Sequence, residues 1–361
     1  MRGPIVSLYL FSLIFLSCKD TDQPTGSFDR KPMLEHYASR VILPAFRELE
    51  LKTGSFRSQV DAFLSDPSSQ RLEELRSSWY EAALSWQSAN CFNFGPAGES
   101  GLKKSLVEEI GTFPTDTALI GQFIDANDTL LNNFDRDTRG FFAIEYLLFR
   151  SNALVLLQSD DSARSYLRAI TAHLYNNVAG VVQAWEGGYS STFLGSVGTD
   201  AGSSTAALYN EFVRSFEQAK NFKVGLPAGK RPGQTQAEPF LVEGYFSGFS
   251  LPLLEQHLKN LEFVYWGKDI TGLVDGPGLR DYLQAVVGGA DLVIASDAQW
   301  QLVLEALDQV PDDRPLSGLM AENNLAVERL HTELQKHTRF YKSEMSSLLG
   351  IAITFASGDG D

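Results

Sequence analysis

The sequence predicts an all-α protein made of two helical bundles packed against each other. Three observations predict it. From residue 34 onward apolar residues recur at helical spacing; no segment shows the alternation of a half-buried strand; and one Gly/Ser/Thr-rich stretch parts the helices into two groups.

The chain has 361 residues and starts with Met1-Arg2-Gly3-Pro4, then an apolar run from Ile5 to Leu16. That run is too short to span a bilayer, which takes about 20 apolar residues, and it reads as a secretory signal. Phe15-Leu16-Ser17-Cys18 follows the bacterial lipobox pattern. The expectation is a signal over 1–17, a diacylated Cys18, and a polar tether over 18–32 with Pro24, Gly26 and Pro32. Such a protein attaches to the membrane through its lipid and sits in the cell envelope, facing the periplasm or the cell surface.

The body follows. Leu34, Tyr37, Val41, Phe46 and Leu49 trace one helix face, with a kink expected at Pro44. Leu72, Leu75, Trp79, Ala82 and Trp86 trace the next, which ends before Gly95-Pro96. Helices are expected over 115–134, 138–150 and 160–186, the last with Tyr166, Ile170, Leu174, Val178, Val181 and Trp185 on one stripe. Gly187 to Ser204 breaks the pattern and is the expected junction, giving a first bundle over 33–190 and a second over 191–361. Further helices are expected near 205–222, 251–265, 278–295 and 297–309, then one long last helix from Leu319 to Leu348. The stretch 224–248 is a Gly/Pro-rich loop, long enough to suggest a functional segment.

Composition narrows the function. Thirty Lys and Arg against 45 Asp and Glu give a net charge of −15, which repels phosphate backbones and argues against nucleic acid as a partner. There are two cysteines. With Cys18 lipidated, Cys91 has no internal partner, and its setting beside Phe92 and Phe94 suggests a packed small hydrophobe.

The most informative segment is Gly140-Phe-Phe-Ala-Ile-Glu145-Tyr-Leu-Leu-Phe149, in which Glu145 is the one residue after Gly140 that is neither apolar nor aromatic. A helix apolar on all sides lies inside the protein. Its carboxylate then needs protonation, an Arg or Lys, or a bound cation. Two readings stand together: a structural ion pair, with Arg139 and Arg150 near in sequence, or a binding site.

This helix resembles that of the imelysin family, classed with metallopeptidases, which carries Gly-x-His-x-x-Glu. In that motif the i, i+3 spacing sets imidazole and carboxylate on one face, about 5–6 Å apart at Cβ. Here the positions are Gly140, Phe142 and Glu145, so phenylalanine stands where the family has its histidine. Other segments resemble the family in the same order. They are Tyr37-Ala38 with Val41 to Ala45; Trp79 and Trp86 with Phe94-Gly95-Pro96; Phe113-Pro114-Thr115-Asp116; Val242 to Leu251; and Leu348 to Phe355 with Asp359-Gly360-Asp361. In the fourth, Phe249 stands where the family has Asn.

The resemblance implies two helical bundles with the motif helix at their interface, and an interdomain binding site of Glu145, Phe142, Gly140, Asp116, Glu243 and Ser247. Gly244 and Gly248 allow the tight backbone of its second-half loop, and Ser250 is expected to cap the helix from Leu251. No cofactor is certain from the residues. A divalent metal or iron is the one implied, with Glu145 as a weak candidate ligand. The resemblance also implies a link to iron or haem uptake, so an uptake system is the protein partner to expect.

Against a peptidase, none of His36, His173, His257, His331 and His337 forms His-Glu-x-x-His or lies within a turn of Glu145. A zinc peptidase needs about three protein ligands and a general base. Each histidine reads better as packed or surface. The leading expectation is a non-catalytic, lipid-anchored binding protein. The alternatives are a metallopeptidase completed in space by His173 or His257, and a scaffold whose metal site has decayed.

Overall fold

Local signals set several helix starts. The computed structural model describes residues 28–99 and 104–355, so the signal over 1–17, Cys18 and the Asp359-Gly360-Asp361 tail lie outside the described residues. Helix α1 (Arg30–His36) starts behind Asp29, whose carboxylate accepts from the Lys31 amide, and passes through a π-helical turn (Tyr37–Ile42) into α2 (Leu43–Ser65). The disturbance expected at Pro44 is this wide turn: proline has no N–H for the carbonyl one turn back, and the backbone loosens before it. Helix α3 (Ser69–Ala89) follows Ser68, whose hydroxyl accepts from the Arg71 amide.

After α4 (Leu106–Gly111) come α5 (Thr117–Asp125), α6 (Gly140–Phe149), α7 (Ala153–Ser159) and α8 (Asp161–Ala184). A second π-helical turn (Trp185–Tyr189) leads into α9 (Ser190–Leu194). Then α10 (Ser204–Gln218) runs into a third such turn (Ala219–Gly225). The last elements are α11 (Ser250–Trp266), α12 (Leu279–Gln284), α13 (Gly289–Asp308), α14 (Leu316–Ala321), α15 (Leu325–Arg339) and α16 (Ser346–Leu349). The described residues hold no β-strand, only one isolated bridge between Lys268 and Asp275. None of their helices is by itself long and apolar enough to cross a membrane.

Several boundaries differ from the periodicity. The helix expected over 115–134 stops at Asp125, because Asn127 turns left-handed at φ 50°. The break expected near residue 296 falls instead at Gly288, with φ 78°, while Ser296 lies buried within α13. The long last helix is cut after Ala321 by Asn323, at φ 52°, and restarts behind Asn324, which accepts from the Ala326 amide. In each case a short polar residue or glycine takes the left-handed conformation that ends a helix. The break expected from Gly187 opens with a kink at Gly188, whose φ of 133° is non-helical, and the short α9 then runs to Leu194 before the irregular connection.

Helix α2 packs on α3 and α8, and α6 lies against α3, α4 and α8. In the second half α13 packs on α15, while α11 meets α10, α12 and, from the first half, α3. Buried apolar residues from both halves form one continuous cluster. Tyr37, fully buried, joins them through its hydroxyl, which donates to the Val264 carbonyl and accepts from the Leu279 amide. Cys91 is buried, its sulfur accepts from the Asn260 amide group at 3.1 Å, and burial pushes its thiol pKa up, as expected of an inert packed cysteine.

Candidate binding site between the two halves

The motif helix α6 has an unusual start. Gly140 sits at φ 76°, where a Cβ would collide with the Ile110 carbonyl, so its role is to let α6 lie against α4. Trp79 Nε1 donates to the Phe141 carbonyl at 3.0 Å and Arg76 Nε to that of Leu148 at 2.9 Å, which ties both ends of α6 to α3. Arg139 and Arg150, the ion-pair partners considered from the sequence, turn elsewhere: Arg139 pairs with Glu109, and Arg150 donates to Asn152.

Glu145 is 1% exposed and faces the second half, where its Oε1 accepts from the Ser247 amide at 2.6 Å. Burial pushes its carboxyl up to about 7; the hydrogen bonds from Ser247 work against that, and the Glu243 carboxylate works with it. Gly244 and Gly248 hold the Ser247 loop through positive φ of 71° and 76°. Ser250 is not a cap: it lies within the first turn of α11, and its hydroxyl donates to the Gly244 carbonyl at 3.3 Å, so it closes the loop instead.

Glu243 is as buried as Glu145 but lies in an ion pair, with Lys223 Nζ 2.8 Å from its Oε2. Gln87 donates to the other oxygen at 3.2 Å and accepts from Lys223 at 2.5 Å and from Asn90 at 2.9 Å. The network continues inward: the Ser215 hydroxyl lies 3.3 Å from Asn90 Oδ1 and 2.7 Å from His257 Nε2. Burial, then the Lys223 charge, holds His257 well below the ordinary histidine range, so it is neutral. The histidine therefore serves as an acceptor or donor in a buried polar chain.

The two aromatic departures from the family pattern pack. Phe142 meets Phe113 edge to face at 5.5 Å between centroids, and Phe249 lies against Phe149 at 6.0 Å and Tyr80 at 4.4 Å. Asp116 caps α5, its carboxylate accepting from the Ala118 and Leu119 amides, while its neighbours Thr115 and Thr117 line the cavity. That cavity, of about 160 Å³, lies among Phe142, Glu145, Phe240 and Tyr245. A second of about 160 Å³ is lined by Trp86, Phe222, Leu226, Lys223 and Glu243, and Phe113 borders both.

The sequence reading missed Lys223, Gln87, Asn90 and Ser215, and took His257 as a packed histidine or, in the peptidase alternative, a ligand. A signal existed for two of them. Gln87 and Asn90 fall on the buried stripe of α3, four residues beyond Ala83 and Trp86, where an apolar residue is the default. Nothing in periodicity marks Lys223, which sits in a wide helical turn.

The donor set does not suit a metal. Phenylalanine replaces the imidazole, the Glu243 carboxylate is held by an ammonium, and Asp116 is a helix cap. Among the described residues no group of three or more His, Cys, Asp and Glu side chains is placed so that it could hold a metal ion.

Comparisons with known proteins agree with the fold. The chain is 26% identical over 308 residues to Iron-regulated protein A of Synechococcus elongatus, covering 82% of this chain and 78% of that one. It superposes with a TM-score of 0.71 on a putative iron-regulated protein A precursor from Parabacteroides distasonis, at 14% identity over 88% of this chain and 94% of that one. An imelysin-like protein from Psychrobacter arcticum gives a TM-score of 0.68 at 20% identity, over 90% and 97%. The family model described as Imelysin matches residues 42–339, and the chain belongs to the imelysin family.

Proposed function

We propose that this is a non-catalytic binding protein, lipid-anchored in the cell envelope and serving iron uptake. One observation carries the non-catalytic part: both interface acids are engaged by groups of the protein itself, Glu243 by the Lys223 ammonium and Glu145 by the Ser247 amide. The iron link is supported by the names of its relatives, iron-regulated protein A among them. Export is supported by the apolar run over residues 5–16 and by the precursor named in one neighbour. Attachment in this reading rests on Cys18. Of iron and haem, the two cavities of about 160 Å³ favour the smaller ligand, since pockets for drug-sized ligands and cofactors usually measure roughly 300–1,000 Å³.

Labelling cells with a tagged fatty acid tests anchor and regulation together. Label on the protein is expected to rise under iron starvation and to vanish in Cys18→Ala. Labelling of the mutant overturns the lipid anchor, and equal amounts of protein in iron-rich and iron-starved cells overturn the iron link.

A further inference from the structure

Away from the interface, α4, α8 and the 127–139 loop line an open polar cavity of about 440 Å³. Arg136, Arg139, His173 and Glu109 are the titratable side chains that line it, with asparagine amides filling much of the remainder. Glu109 sits at its centre. Its Oε1 accepts from Arg136 Nε at 3.1 Å and Nη2 at 2.9 Å, and its Oε2 lies 3.1 Å from Arg139 Nη2 and 3.3 Å from His173 Nε2. Two guanidiniums against one carboxylate leave a net positive charge in a chain whose total is −15.

The donors are only partly used. Arg139 is 2% exposed; its Nη1 donates to the Leu131 carbonyl and to Asn133, and its Nη2 reaches the Asn133 carbonyl, yet its Nε–H has no protein acceptor. A buried charged donor without an acceptor is costly, and native proteins seldom leave one. Arg136 Nη1 makes a single bond, to the Asn133 carbonyl at 3.0 Å. Asn176 lies exposed at the rim. Acids stand nearby outside the lining: Asp128 and Asp135 face Tyr166, whose ring neighbours Arg139. They reduce the positive field but do not enter the cavity.

We propose that this cavity binds a small oxyanion, a phosphate or a short carboxylate, between Arg136, Arg139 and the asparagines. Glu109 aligns the two guanidiniums, and planar guanidinium forks match such oxygens. The site is separate from the interface that holds Glu145.

Calorimetric titration of the full-length protein with inorganic phosphate, and separately with malonate, tests the proposal and tells phosphoryl from carboxylate. Binding of at least one is expected, weakening as salt is raised. Arg136→Gln is expected to lower affinity roughly tenfold, the loss of one charge-assisted contact. Because Arg136 also supports Glu109, circular dichroism checks its fold. Asn176→Asp gives an independent arm, since it adds a carboxylate at an exposed rim position and is expected to weaken binding about threefold or more. Arg47→Gln, at an exposed surface pair, serves as the control for diffuse attraction. No heat with either anion, or binding that both site variants leave unchanged, overturns the proposal.

Discussion

Glu109 and Glu145 lie on adjoining helices and are almost equally buried, at 3% and 1% exposure. Their chemistry is opposite. Burial pushes both carboxyls up, but at Glu109 the His173 hydrogen bond and the two guanidiniums overcome it and hold the group at about 2. At Glu145 the opposing contributions are neutral hydrogen bonds, from Ser247 and the Phe246 backbone, and the group stays at about 7. Burial by itself therefore does not set the state of an acid; the charges brought beside it do. In the first region the carboxylate is an ionised organiser of arginines. In the second it is a weak acid poised to gain or lose a proton at the interface.

The strongest way to break the contrast is to remove each charge in turn. Glu109→Gln strands Arg136 and Arg139 without their counter-ion, and loss of one partner from a buried pair costs about 3–5 kcal/mol. Glu145→Gln is expected to be nearly neutral at pH 5, where the native group is already protonated. Urea unfolding of both variants at that pH measures the gap, and equal losses would mean that Glu109 is not the ionised partner that the geometry describes.

The pH profile sharpens the same contrast, with a somewhat smaller effect. Glu145 has a folded value above the unfolded one of 4.5, so its contribution is whole below pH 4.5 and is lost as pH rises through about 7. The shift corresponds to roughly 3 kcal/mol. Glu109 has the reverse sign: its contribution is present above 4.5 and is lost as pH falls toward about 2. Glu211, also raised to about 7 by burial, titrates in the first window too. The difference between wild type and Glu145→Gln, followed as Tm from pH 4 to 8, isolates the share of Glu145. A parallel pair of curves would show that folding leaves the pKa of this acid unshifted.

Phe142→His gives the smallest expected change and asks whether the second region can become a metal site. Loss of the Phe113 contact should cost about 1–2 kcal/mol. Zinc affinity in calorimetry, and cleavage of a mixed peptide library, are expected to stay undetectable, because Lys223 holds Glu243 and Asp116 caps α5. Zinc binding that Glu145→Gln abolishes would show that the Lys223 pair yields to a cation, and would restore the peptidase reading.

The sequence by itself determined the all-α class, since apolar spacing fixes which face each helix buries whatever it packs against. It also marked Glu145 as buried, because no side of α6 is polar enough to face water, and it marked the family through ordered segments from Tyr37 to Phe355. Periodicity placed helix interiors well and ends poorly: Asn127, Gly288 and Asn323 stop helices through single left-handed residues that leave the surrounding pattern unbroken. What only the tertiary structure decided is which charge meets which acid. Arg139 lies six residues from Glu145 in sequence yet reaches Glu109 on α4, while Glu243 is met by Lys223 of its own half and by Gln87 from the other. Hydrophobic burial is a property of one helix face and can be read locally, whereas an ion pair depends on the distance between two side chains, which exists only after the helices have packed.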